Sequence, residues 1–143
     1  MRSALKYFVA LGVATISWNV SAHMVMIGDL QIIHAWAEPS EKGNTRVFTT
    51  ISNDGAEAAT LLTMQTDAAE RVEITRQGSV LDRLTIPADD SVVFGEDGLD
   101  LTLVGLTAPL IKGEKFVIAV TFEGYRTIDL KVLVGEDTAM GNM

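Results

Sequence analysis

The chain has 143 residues, 48% of them hydrophobic, with 11 basic against 19 acidic side chains for a net charge of −8 and no cysteine. One domain of this size and apolar content buries a core without disulfides or a structural metal. The acidic balance leaves no basic patch for nucleic acid, and the missing thiols exclude Cys-ligated zinc, iron–sulfur and blue-copper centres.

The chain opens with Arg2 and Lys6, continues with an apolar stretch over residues 7–18, and reaches Val20-Ser21-Ala22. A positive start, an apolar run of this length and a small-residue cleavage site predict a signal peptide over residues 1–22, cut after Ala22. The apolar run is too short to span a bilayer comfortably, so no membrane span is expected after processing. The mature protein is predicted to be periplasmic and to begin at His23. The leader carries basic but no acidic side chains, so the mature chain is more acidic than the whole.

Next comes Met24-Val25-Met26-Ile27-Gly28-Asp29-Leu30-Gln31-Ile32-Ile33. Gly28-Asp29 is a two-residue turn with glycine first, as a type II′ hairpin prefers. Pairing outward from Ile27 and Leu30 sets Met26 against Gln31, Val25 against Ile32, Met24 against Ile33 and His23 against His34. Residues 35–44 read as a polar connection. Strands are expected over 46–53, closed by Asn53-Asp54-Gly55, and over 58–66. One helical turn is expected over 67–70. Further strands are expected over 71–76, 80–86, 91–94, 99–106, 115–122 and 125–134, punctuated by Gly95, Gly98, Gly113 and Gly124. Short strands at this spacing predict an all-β sandwich or barrel. The domain is expected to occupy residues 23–135, with a small polar tail over 136–143.

His23 and His34 are the only histidines of the chain. A directly opposed pair holds its Cβ atoms roughly 4.5–5.5 Å apart, close enough for both rings to share one ion. An N-terminal histidine adds its α-amine, which chelates together with its own Nδ1. Three nitrogens in a T, a histidine brace, suit Cu(II), which sits at the top of the divalent affinity series. The reading therefore expects one copper ion on His23, through amine and imidazole, and on His34. A one-residue register slip would turn the rings to opposite faces. The competing reading makes His23 a frayed end and His34 an ordinary strand histidine. Met24 is a candidate soft axial contact. Glu38 and Asp100 are candidate carboxylate ligands, while Asp29 sits at the far end of the hairpin. Met26 and Met64 are expected in the core, and Met140 and Met143 are candidates for holding Cu(I) transiently from the tail.

Several segments resemble the PCu(A)C family of periplasmic copper chaperones. They are His23, Gly28-Asp29-Leu30, His34-Ala35-Trp36-Ala37-x-Pro39, residues 53–55, residues 68–74, Ile86-Pro87-Ala88, Leu103-x-Gly105-Leu106 and Pro109-Leu110-x-x-Gly113-Glu114. The resemblance implies a cupredoxin-like, Greek-key β-sandwich. It also implies a family site that binds Cu(I) with two histidines and two methionines. One histidine of that site falls here at Thr75, and a His-x-Met pair falls at Asp100 and Thr102. The other methionine falls near Val80-Leu81. All four ligands are missing, so no metal is expected there, and the chain resembles the subset that binds copper through a histidine brace.

Three functions follow. The first is a non-enzymatic copper chaperone or store that hands copper to a membrane or periplasmic receiving protein. The second is a copper-dependent oxidase resembling lytic polysaccharide monooxygenases. Trp36, Tyr125 and few other aromatics offer little of a flat substrate face for it. The third is a metal-free binding or scaffold protein.

Overall fold

The computed structural model describes residues 24–135. The leader, His23, Met140 and Met143 lie outside the described residues. Among the described residues there are eleven strands and no helix, so none is long and apolar enough to cross a membrane. The strands are β1 (Met24–Ile27), β2 (Leu30–Ala37), β3 (Thr45–Asn53), β4 (Ala59–Gln65), β5 (Ala69–Arg76), β6 (Ser79–Leu81), β7 (Leu84–Ile86), β8 (Asp90–Val93), β9 (Leu99–Leu106), β10 (Lys115–Phe122) and β11 (Ile128–Val134).

They pair in the order β6-β5-β9-β3-β2-β11-β10-β4-β7, with β1 added to β2 and β8 to β3. The path curls on itself: β7 packs near β3 and β8, and β4 near β5. The result is an all-β sandwich, as the strand spacing predicts. Alternation fills its interior. Val47 and Ile51 of β3, Leu99, Leu101 and Leu103 of β9, Ile118, Val120 and Phe122 of β10, and Leu130, Val132 and Val134 of β11 are all buried. Period-two burial of this kind places one set of side chains inside and the alternate set outside.

The first hairpin forms in the predicted register, with Met24 opposite Ile33, Val25 opposite Ile32, Met26 opposite Gln31 and Ile27 opposite Leu30. Gly28 has φ 59° while Asp29 is not left-handed, as a II′ turn requires. The ring of Tyr125 closes over that turn, where a Cβ on Gly28 would lie 2.8 Å from Tyr125 Cε2.

The structure departs from the sequence reading in four places. The first is the connection expected over 35–44: residues 35–37 belong to β2, because the end of β2 pairs with β11 on one side and β3 on the other. The second is the helical turn expected at 67–70. Asp67-Ala68 is a plain turn instead, and Ala69 is already in β5, buried opposite Leu106. The third is the strand expected over 80–86, which is two strands. β6 pairs with β5 and β7 with β4, so the chain changes layer at Asp82-Arg83. The fourth is Met26, which is not in the core but 62% exposed, whereas Met64 is buried as expected. Parity decides Met26: Val25 and Ile27 alternate with it, and Ile27 takes the inward side.

Candidate metal centre

His34 stands where β2 leaves regular pairing. The β2–β3 register runs Ile33 against Thr50 and resumes at Trp36 against Phe48. Two residues, His34 and Ala35, therefore oppose the single residue Thr49, which makes a β-bulge. His34 has φ 52°, the left-handed conformation that bulges of this kind usually give to glycine. The Ile33 carbonyl, displaced by the bulge, accepts a hydrogen bond of 2.8 Å from Thr49 Oγ1. Thr49 is itself buried, so this bond gives its hydroxyl a partner, as buried polar groups need.

The bulge sets half-buried His34 at the wall of a cavity of about 300 Å³, together with Ile33, Trp36, Phe48, Phe94 and Glu96. Trp36 and Phe48 stack with centroids 4.5 Å apart. Gly95 backs Phe48 with φ 106°, and a Cβ there would lie 2.7 Å from Phe48 Cδ1. The lining is thus largely apolar and includes one imidazole and one carboxylate. β1 ends beside it. Met24, 40% exposed, is paired with Ile33, the residue before His34. The described ladder stops there, one position short of the predicted opposition of His23 with His34, because His23 lies outside the described residues. Strand alternation does not extend through His34, so the bulge sets the direction of that ring.

Glu38 and Asp100 do not line this cavity. They flank Arg46 instead, at 3.8 Å and 3.7 Å. The Arg46 guanidinium also lies 5.0 Å from the centroid of Phe48, a cation–π distance. Trp36, Phe48 and Arg46 thus form one stack running from the His34 cavity to the two carboxylates. Glu96, on the cavity wall, is the carboxylate that sequence reasoning missed. It is far from both histidines in the chain, and only the pairing of β8 with β3 brings its segment near. Asp29 is exposed at the hairpin end, beside Gly55.

The positions to which the resemblance assigns family ligands lie on adjacent strands. Thr75 of β5 is opposite Val80 of β6 and opposite Asp100 of β9. Thr102 lies two residues along β9 on the same face, opposite Glu73 and Arg46. Among the described residues a guanidinium stands on this face and no imidazole or thioether does. Among the described residues no group of three or more His, Asp or Glu side chains could hold a metal ion.

Comparison with known proteins places this geometry. The family model LpqE-like, a lipoprotein family, matches residues 30–134. Among curated proteins, no sequence matches the chain. Similar solved structures include the copper-bound PCuAC domain from PmoF2, with a TM-score of 0.72 at 16% identity over 80% of this chain and 98% of that one. The apo PCuAC domain from PmoF1 has a TM-score of 0.70 at 16% identity over 80% and 99%. The Cu(I) form of DR1885 from Deinococcus radiodurans has a TM-score of 0.62 at 22% identity over 72% and 77%. At these identities the likeness is one of fold, a cupredoxin-like β-sandwich. With its family model covering nearly all of the described strands, the chain belongs to the LpqE-like family, the PCu(A)C family that its residues resemble.

Proposed function

We propose that this protein is an exported copper chaperone or store that holds one Cu(II) ion on the α-amine and imidazole of His23 and on the imidazole of His34. The observation that carries this reading is the hairpin register. Met24 pairs with Ile33, so in sequence His23 is the next residue before Met24 and His34 the next after Ile33, and His34 lines a cavity. Nitrogen donors without thiolate suit Cu(II). The likeness in fold to the copper-bound domain from PmoF2 and to Cu(I)-DR1885 supports copper as the cargo. The face of Thr75, Asp100 and Thr102 takes no part, since Arg46 already sets a positive charge there.

In this reading residues 1–22 are a cleaved leader, 23–135 the copper domain and 136–143 a tail. The family's description as lipoproteins fits an exported protein. The 143 residues contain no cysteine, so a thioether-linked lipid has no attachment point within them. The protein passes copper to a receiving protein and performs no chemistry on it.

The test uses protein starting at His23. Wild type should take up one equivalent of Cu(II) tightly, and His34→Ala should lose tight uptake while keeping the far-ultraviolet spectrum of a β-sandwich. Unchanged stoichiometry and affinity in His34→Ala would overturn the assignment. Peroxide formation from oxygen and a reductant by the copper-loaded protein, well above that of free copper, would replace the chaperone reading with the oxidase.

A further inference from the structure

β1 carries a second feature beyond the nitrogen donors. Met24 and Met26 are 40% and 62% exposed. They occupy alternate positions of one strand and so share a face. Their ladder partners are Ile33 and Gln31, and β1 pairs with no strand other than β2, so the far edge of β1 carries no strand partner among the described residues. Leaving two large apolar side chains partly in water forfeits part of their burial free energy. Met64, by contrast, is buried. Nor do these two fill a gap in the interior, since Val25 and Ile27 take the inward side of the strand.

The row containing Met24 leads to the His34 cavity: Ile33 is opposite Met24, Thr50 is opposite Ile33, and both line that cavity. Residues two apart on a strand have Cα atoms about 7 Å from one another. Methionine has three rotatable bonds, so two such thioethers reach a common point between them. Thioether sulfur is a soft ligand that selects Cu(I), and it carries no proton to lose on binding.

We propose that Met24 and Met26 form a thioether site for Cu(I) on the edge of β1, beside the nitrogen site. Copper arriving as Cu(I) is matched better by these thioethers than by the imidazole and amine nitrogens, which suit Cu(II). The site is exposed, so its copper is accessible to a receiving protein. This rests on the copper reading above only in taking copper as the cargo.

The experiment measures Cu(I) affinity by competition with a chromophoric Cu(I) chelator, and Cu(II) affinity separately. It compares wild type, His34→Ala and the double variant Met24→Leu/Met26→Leu, all starting at His23. Leucine keeps the apolar bulk and removes only sulfur, so both exposed positions should tolerate it. The expected result is a Cu(I) affinity at least tenfold weaker in the double leucine variant, with a much smaller change in Cu(II) affinity. Copper–sulfur scattering in the X-ray absorption spectrum of the Cu(I) form should disappear with it. Cu(I) affinity within twofold of wild type would overturn the proposal. Equal losses of Cu(I) and Cu(II) affinity would overturn it too, by making the methionines part of a single site. Loss or retention of Cu(II) in His34→Ala decides the nitrogen site independently.

Discussion

At φ 52° His34 sits in a backbone region that few residues with a Cβ adopt, though histidine is among those enriched there. The left-handed conformation costs an L-residue roughly 1–2 kcal/mol, and such outliers persist where the surroundings over-determine them. Here the Thr49 hydroxyl on the Ile33 carbonyl holds the bulge. The conformation therefore yields a prediction separable from metal binding. Without copper, His34→Gly should be at least as stable as His34→Ala to urea, by up to about 1 kcal/mol, since glycine adopts positive φ without a Cβ penalty. Both should bind Cu(II) equally poorly. A glycine variant clearly less stable than the alanine variant would show that the bulge does not strain this residue. Gly95 makes the complementary case. Gly95→Ala adds a methyl 2.7 Å from Phe48 Cδ1 at a positive φ. Its expected cost is about 1–3 kcal/mol, as for overpacking generally, together with altered Trp36 fluorescence as the stack on Phe48 shifts.

Among the strands, β5, β6 and β9 are where family and chain part company. The resemblance puts family ligands at Thr75, Asp100 and Thr102 and near Val80; here Val80, Thr75 and Asp100 form one row, with Thr102 two residues along β9. Grafting Thr75→His, Val80→Met, Asp100→His and Thr102→Met, in an Arg46→Thr background that removes the competing cation, should create Cu(I) binding in protein lacking both native histidines and with Met24 and Met26 changed to leucine. Absence of Cu(I) uptake by that folded variant would mean that these strands no longer hold the family geometry. Arg46 itself contributes little to stability. Its ion pairs are partly exposed at 3.7–3.8 Å, and such pairs are worth about 0–1 kcal/mol.

For the molecule as a whole, the proposed copper site would link metal binding to folding. A ligand that binds only the native state stabilises it by RT ln(1 + [L]/Kd), about 2.7 kcal/mol at a hundredfold excess over Kd. Cu(II) should therefore raise the melting temperature of protein starting at His23 and leave His34→Ala nearly unmoved. A short N-terminal extension converts the amine to an amide and should weaken Cu(II) binding. Equal affinity in extended and authentic forms would remove the terminus from the site. Ligating nitrogens must be unprotonated, so Cu(II) affinity should fall as pH drops, while Cu(I) held by thioethers should change little over the same range. A titration of both oxidation states across pH separates the two sites.

The hairpin was legible in the sequence because its information is local: Gly28-Asp29 dictates the turn, and alternation from it dictates every partner up to Met24 and Ile33. The all-β class was legible for the same reason, from strand length and turn residues repeated along the chain. Only the tertiary structure decided the rest. The split of residues 79–86 between two layers depends on which distant strand each half meets, β5 or β4. The exposure of Met26 depends on which face of β1 the core takes. The pairing of Glu38 and Asp100 with Arg46 depends on contacts across β3 and β9. The bulge at His34 depends on β2 exchanging β1 for β11 as its neighbour partway along its length. Local propensity sets turns and alternation, but the partner of each strand and the inward face of each side chain are settled only when the whole sheet closes around one core.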